Sequence, residues 1–221
     1  DSLLSGLDRA RFDASSFLSN MEGHLLHWKG LHADAAAAYA RAGAIDPDQG
    51  LFFLHAGHEW ALAGERERAV DSWVEAARAF LAADEIDDLA NAVDLLSEAA
   101  GEDRRALGAK GKYLYAVGDG EGAMEALSAA IGAGSEDSAD HYLRGMILRD
   151  RGDTDAALDA LGKAAALEPD FGLYRFRLAE TLFNAGRDST EAIAVALEKD
   201  PRSGWTLNLA ALAALADDDV E

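Results

Sequence analysis

The sequence predicts an all-α fold of stacked antiparallel helix hairpins, and three observations carry that prediction. First, 48 Ala and 30 Leu stand against 15 Val, Ile and Thr together in 221 residues, so strong helix formers far outnumber β-branched residues. Second, glycines, bulky apolar residues and alanines recur at one internal spacing when the chain is slid against itself by 34 residues. Third, Pro47, Pro169 and Pro201 each follow a helix-forming stretch, and the residue before a proline avoids the αR region. The abundance of Ala also allows backbones to approach closely, which favours many small helix pairs.

The repeat can be followed position by position. Gly23 aligns with Gly57, Leu26 with Trp60, Gly30 with Gly64, Ala35 with Ala69, Tyr39 with Trp73 and Ala42 with Ala76. A second run joins Gly111 to Gly145, Leu114 to Leu148, Gly118 to Gly152, Ala123 to Ala157, Leu127 to Leu161 and Ala130 to Ala164. Gly23, Gly57, Gly111 and Gly145 leave room for a neighbouring helix, and the bulky residue one turn later fills the space beside it. Gly30, Gly64, Gly118 and Gly152 stand where a helix must stop, because glycine enters αL without a steric penalty. Trp60, Trp73, Tyr39 and Leu161 occupy the large apolar slots and are expected in the core.

This pattern of Gly-x2-bulky, then Ala-x3-bulky, then a closing Pro resembles the tetratricopeptide repeat, a 34-residue helix-turn-helix unit. Element by element, 1–15 is an N-terminal segment or leading helix, and 16–49 and 50–83 are two repeats. Residues 84–103 break the register by 20 residues and carry Ile86, Leu89, Val93, Leu96 and Ala100 at helical spacing, an inserted helix ended by Gly101 and a joint dividing the array. Repeats follow at 104–137, 138–171 and 172–203, the last shortened after Gly186. Ser135 and Leu81 replace the closing proline in the third and second units. Residues 204–221 are a capping helix and acidic tail, with Ser203 placed as N-cap.

The resemblance implies a right-handed superhelical solenoid whose first helices line a concave groove that takes a protein or peptide partner. Carried over residue by residue, that groove presents Asn20, His24, His27, Leu54, His55 and His58, then Arg105, Lys112 and Tyr115. It continues with Tyr142, Met146, Arg149, Phe176, Glu180 and Phe183. Arg105, Lys112 and Arg149 make this wall locally basic. Some members of the family clamp a C-terminal carboxylate with paired Lys, Asn and Arg. Here Asn20 stands in the first unit without matching Asn or Lys in the second, so that activity is not expected.

The charge narrows the partner class. With 41 acidic against 20 basic residues the formal net charge is -21, which repels nucleic acid and anionic lipid. Eight acids and no base fall in 84–103, and Asp217 to Asp219 end the chain acidically. No cysteine is present, which excludes disulfides, thiolate metal sites and cysteine nucleophiles. No run of about 18 apolar residues suits a membrane span. A soluble cytoplasmic or periplasmic protein is expected, and the start at Asp1, without Met or basic leader, suggests a mature or excised piece.

Catalytic signatures fail one at a time. Gly111-Lys112 lacks the rest of a phosphate-binding loop, Gly118 to Gly122 is a turn between helices, and Asp150, Asp153 and Asp155 lack the Gly and Glu of a calcium loop. A non-enzymatic scaffold or adaptor without cofactor is the expectation. One alternative is a metal- or pH-responsive module: His24 and His27 lie three apart on one helix, His55 and His58 three apart on the equivalent helix, and four imidazoles can converge on zinc, copper or nickel. Partner-contacting or half-buried histidines are the plainer reading. His32 and His141 fall outside that cluster. A second alternative is homo-oligomerisation through the groove or the array ends.

Overall fold

A computed structural model describes residues 15–218. Among the described residues there are twelve helices and no strand. None of these described helices is long and apolar enough to cross a membrane. The leading segment 1–15 lies almost wholly outside the described residues, as do the last residues of the acidic tail.

The chain forms two compact units that divide after Gly118. The first contains α1 (Ser16–Trp28), α2 (His32–Ile45), α3 (Gly50–Leu62), α4 (Arg66–Ala83), α5 (Ile86–Ala100) and α6 (Arg104–Ala116). The second contains α7 (Gly120–Gly132), α8 (Ser138–Asp150), α9 (Thr154–Leu167), α10 (Gly172–Asn184), α11 (Thr190–Lys199) and α12 (Gly204–Asp218). Within the first unit each helix packs on the next through α6, and within the second the same holds from α7 to α12. This is the stacked-hairpin architecture expected from the sequence.

Two kinds of glycine build the hairpins. Gly30, Gly64, Gly152 and Gly186 all have positive φ, between 64° and 81°. Around them the chain closes back on the preceding helix through Leu31 N–H to Leu26 O, Glu65 N–H to Trp60 O, Asp153 N–H to Leu148 O and Arg187 N–H to Leu182 O, at 2.9–3.0 Å. Asp84 adopts the same left-handed conformation (φ 60°) at the end of α4, closed by Glu85 N–H to Phe80 O. The second kind lets paired helices touch. A Cβ at Gly23 would lie 2.6 Å from the Tyr39 ring, one at Gly145 2.8 Å from Leu161 Cγ, and one at Gly57 against the Trp73 indole. Tyr39, Trp73 and Leu161 are buried, as their repeat position requires. Gly50 makes a further such approach to Phe80 within the second hairpin, and Gly43 meets Phe53 where α2 of the first hairpin packs on α3 of the next.

The inserted helix α5 belongs to the first unit. Its buried residues Leu89, Ala92, Val93 and Leu96 share one core with Trp60, Trp73 and Phe80 ahead of it and Ala106 and Ala109 after it. Arg66, at the start of α4, donates to Ala99 O and ties down the C-terminal turn of α5. The division between units therefore falls after Gly118 and not at 84–103, because the core runs uninterrupted through that segment. At the other end of the chain, Ser203 Oγ accepts from Thr206 N–H (3.3 Å), and Leu209 of α12 joins Phe176, Ala179 and Ile193 in a core cluster.

Candidate functional site

In the first unit the four histidines of the expected cluster turn to three different partners. Tyr39 Oη and His24 Nδ1 share a hydrogen bond (2.9 Å), and the His24 and His55 rings lie 5.6 Å apart, edge to face. His58 Nδ1 bonds the carbonyl of Leu54 one turn back (2.9 Å), with its ring set against Trp73. His27 leaves the group and bonds Glu59 Oε1 through Nδ1 (2.7 Å). The single four-imidazole site is therefore replaced by separate pairings. His32 is corrected in the opposite sense: as the first residue of α2, just past the turn at Gly30, it bonds the other Glu59 oxygen through Nδ1 (2.8 Å).

Burial shapes the chemistry here. Tyr39 is pushed up to about 12, first by desolvation and then by the charge of Glu59, so its hydroxyl stays protonated. Burial, followed by the neighbouring His24 and His58, holds His55 below its ordinary value of 6.5. Asn20 is half-buried, and its Oδ1 has no hydrogen-bond partner among the described residues.

The cationic wall is largely neutralised within the chain. Arg105 bonds Asp103 (2.7 Å), Glu67 (3.1 Å) and Asp71, which raise its affinity for the proton and tie α6 to α4. The same Arg105 hydrogen bond holds the Asp103 carboxyl below its usual range. In the second unit Arg149 meets Glu180 (3.2 Å) and Asp150 (3.0 Å), and Glu180 also receives Arg177 (2.8 Å). Lys112 and Tyr115 are half-buried.

Three expected wall residues belong to the interior: Leu54 is only 6% exposed, and Met146 and Phe176 7% each. Phe183 is half-buried against the same cluster as Phe176. Tyr142 packs on Tyr174, ring centroids 5.0 Å apart. A feature the sequence did not reveal is an open cleft of about 670 Å³ in the first unit, where the end of α3, the start of α4 and the end of α5 meet. Leu62, Trp73 and Leu95 supply apolar wall, and His58, Arg66 and Glu98 supply polar groups. It exists because α5 packs where the plain register has no helix, and only the insertion of 20 residues pointed to it.

No family model matches the chain. A relative from Treponema pallidum (strain Nichols) called "TPR repeat-containing protein" is 41% identical over 221 residues, covering 95% of this chain and 27% of that protein. The chain thus spans about a quarter of the length of the curated relative it matches. Among solved structures it is similar to a chain of the APC/C hetero-tetramer Cut9-Hcn1, with a TM-score of 0.56 and 15% identity over 89% of this chain and 42% of that one. It is also similar to pilF of Pseudomonas aeruginosa, with a TM-score of 0.51 and 15% identity over 94% of this chain and 86% of that one. At such identities the solved structures speak for the fold.

Proposed function

We propose, from the premise that this chain belongs to the tetratricopeptide-repeat proteins, that it is a non-enzymatic interaction scaffold holding a peptide or helical segment of a protein partner. The observation that carries this reading is the cleft between α3, α4 and α5. Apolar walls with a few polar groups at the margin suit one inserted apolar or aromatic side chain, flanked by hydrogen bonds to its backbone. Neutralisation of Arg105 and Arg149 argues that apolar anchoring outweighs charge attraction in selecting the partner. The acidic surface as a whole disfavours nucleic acid. Peptides selected from a displayed library against the intact protein are to be titrated calorimetrically against the wild type and Leu62→Glu, an exposed wall position. A loss of about tenfold or more in affinity is expected in the variant, and unchanged binding would remove the cleft from the proposal.

A second reading, self-association, is favoured by exposed apolar residues on the first and last described helices. Phe17, Met21 and Leu25 lie at successive turns of α1 and are exposed, with Trp28 at 88%. On α12, Trp205 is 77% exposed, and Leu212 and Leu215 are also exposed. Sedimentation across a concentration range tests this; a mass that stays monomeric, unaltered by Trp28→Lys, ends it.

A further inference from the structure

Glu59 is only 4% exposed, and both of its oxygens are taken by imidazole nitrogens, His27 Nδ1 at 2.7 Å and His32 Nδ1 at 2.8 Å. A carboxylate this deep is stable as an anion only when opposite charge or strong donors face it. Two imidazoles meet that need with protons, and one divalent cation meets it with a single ion that satisfies all three side chains. We propose that His27, His32 and Glu59 form a binding site for Zn(II), fastening the α1–α2 turn to α3.

Donor chemistry, spacing, framework, access and charge all support this assignment. The donor set is two imidazoles and a carboxylate, which suits zinc-class ions and not Mg(II) or Ca(II), whose ligands are oxygens. The donor atoms of the three residues all lie within 4.8 Å of one another. Zinc bonds of about 2.0–2.2 Å in tetrahedral geometry place ligand atoms roughly 3–3.5 Å apart, so rotamer-scale adjustment closes the site. The framework is also prearranged. His27 lies in the last turn of α1, Gly30 sits in the left-handed region, and the Leu31 N–H bond to Leu26 O (3.0 Å) fixes the turn that delivers His32. The imidazoles, with side chains 47% and 34% exposed, keep a path to solvent and leave coordination positions for water. The net charge of -21 adds a field that concentrates cations near the surface.

The inference stands apart from the scaffold reading, since it concerns the first two hairpins whether or not a peptide binds the cleft. Untagged, chelator-treated full chain is titrated with ZnCl₂ by calorimetry, and its unfolding is followed with and without zinc. The expected result is one Zn(II) per chain and a higher Tm, with no such rise from MgCl₂. His27→Gln and His32→Gln, both at partly exposed positions, are each expected to weaken zinc binding by about tenfold or more while retaining the helical circular dichroism spectrum. His24→Gln and His58→Gln are expected to bind as the wild type does. Absence of binding by the wild type up to about a millimolar, or binding that survives His32→Gln, overturns the assignment. Loss in His24→Gln or His58→Gln with retention in His27→Gln and His32→Gln also overturns it.

Discussion

At Gly57 the backbone of α3 meets the Trp73 indole so closely that a methyl group has nowhere to go. Alanine improves intrinsic helix propensity by about 1 kcal/mol over glycine, yet the buried Trp73, 4% exposed, cannot swing aside. Overpacking of about 1–3 kcal/mol outweighs the propensity gain. Gly57→Ala is therefore expected to lower Tm, and an unchanged or raised Tm would show that α3 shifts freely. His55 gives a prediction in pH. Its folded pKa is depressed, so the unfolded chain binds the proton more tightly. The stability it contributes is intact above its ordinary value of 6.5 and erodes as pH falls through that value toward the folded one. His55→Asn is expected to lose less stability than the wild type between about pH 7 and 5; equal losses by thermal unfolding would contradict the depression.

These residues differ in how far sequence alone revealed them. A glycine stands 16 positions before a large apolar residue in each well-formed unit, Gly57 before Trp73 here, so the pair recurs in the sequence. The residue expected beside Gly57 was Trp60, one turn on, and it is Trp73 that meets it. Glu59 is one of 41 acids, and only its burial beneath the turn of the preceding hairpin distinguishes it. That burial depends on how α2 docks onto α3, a long-range relation that periodicity does not encode. The neutralisation of Arg105 and Arg149 was legible only in part: Asp103 and Asp150 are sequence neighbours, whereas Asp71 and Glu180 lie 34 and 31 positions away.

Among the elements, α5 tests whether an insertion is structural or incidental. Its apolar stripe was readable from Ile86 to Ala100, but the sequence read it as a joint. The structure instead merges Leu89, Val93 and Leu96 with the core of the two preceding hairpins and of α6. Leu96 is fully buried, so Leu96→Ala should cost about 2–5 kcal/mol through lost transfer energy and the cavity left behind. The exposed Leu212→Ala on α12 should change stability by no more than about 0.5 kcal/mol. Denaturant midpoints compare the two directly. Similar small effects from both would mean that α5 is an appendage, and the cleft it walls would then be no fixed feature of the fold.

For the whole molecule the governing quantity is the charge of -21, and two opposing effects determine its response to salt. Screening weakens attractive pairs such as Arg105 with Glu67 and Asp71, and Lys199 with Asp170 (2.8 Å). Most of these carboxylates are strongly exposed, Glu67 at 82% and Asp170 at 88%, and such solvated pairs contribute little to stability. Screening also relieves repulsion among the excess acids, many of them clustered in 84–103. As the Debye length contracts from about 30 Å at 0.01 M to about 3 Å at 1 M, the repulsive sum falls over many pairs while only a few attractions are lost. Repulsion wins, and Tm is expected to rise between dilute buffer and about 0.5 M NaCl, by about 2–4 °C for each kcal/mol relieved in a chain of this size. A fall in Tm with NaCl would mean that the Arg105 and Arg149 networks outweigh the field. In that event charge would be a structural cement of this repeat array, and Arg105→Gln would be the substitution to measure next.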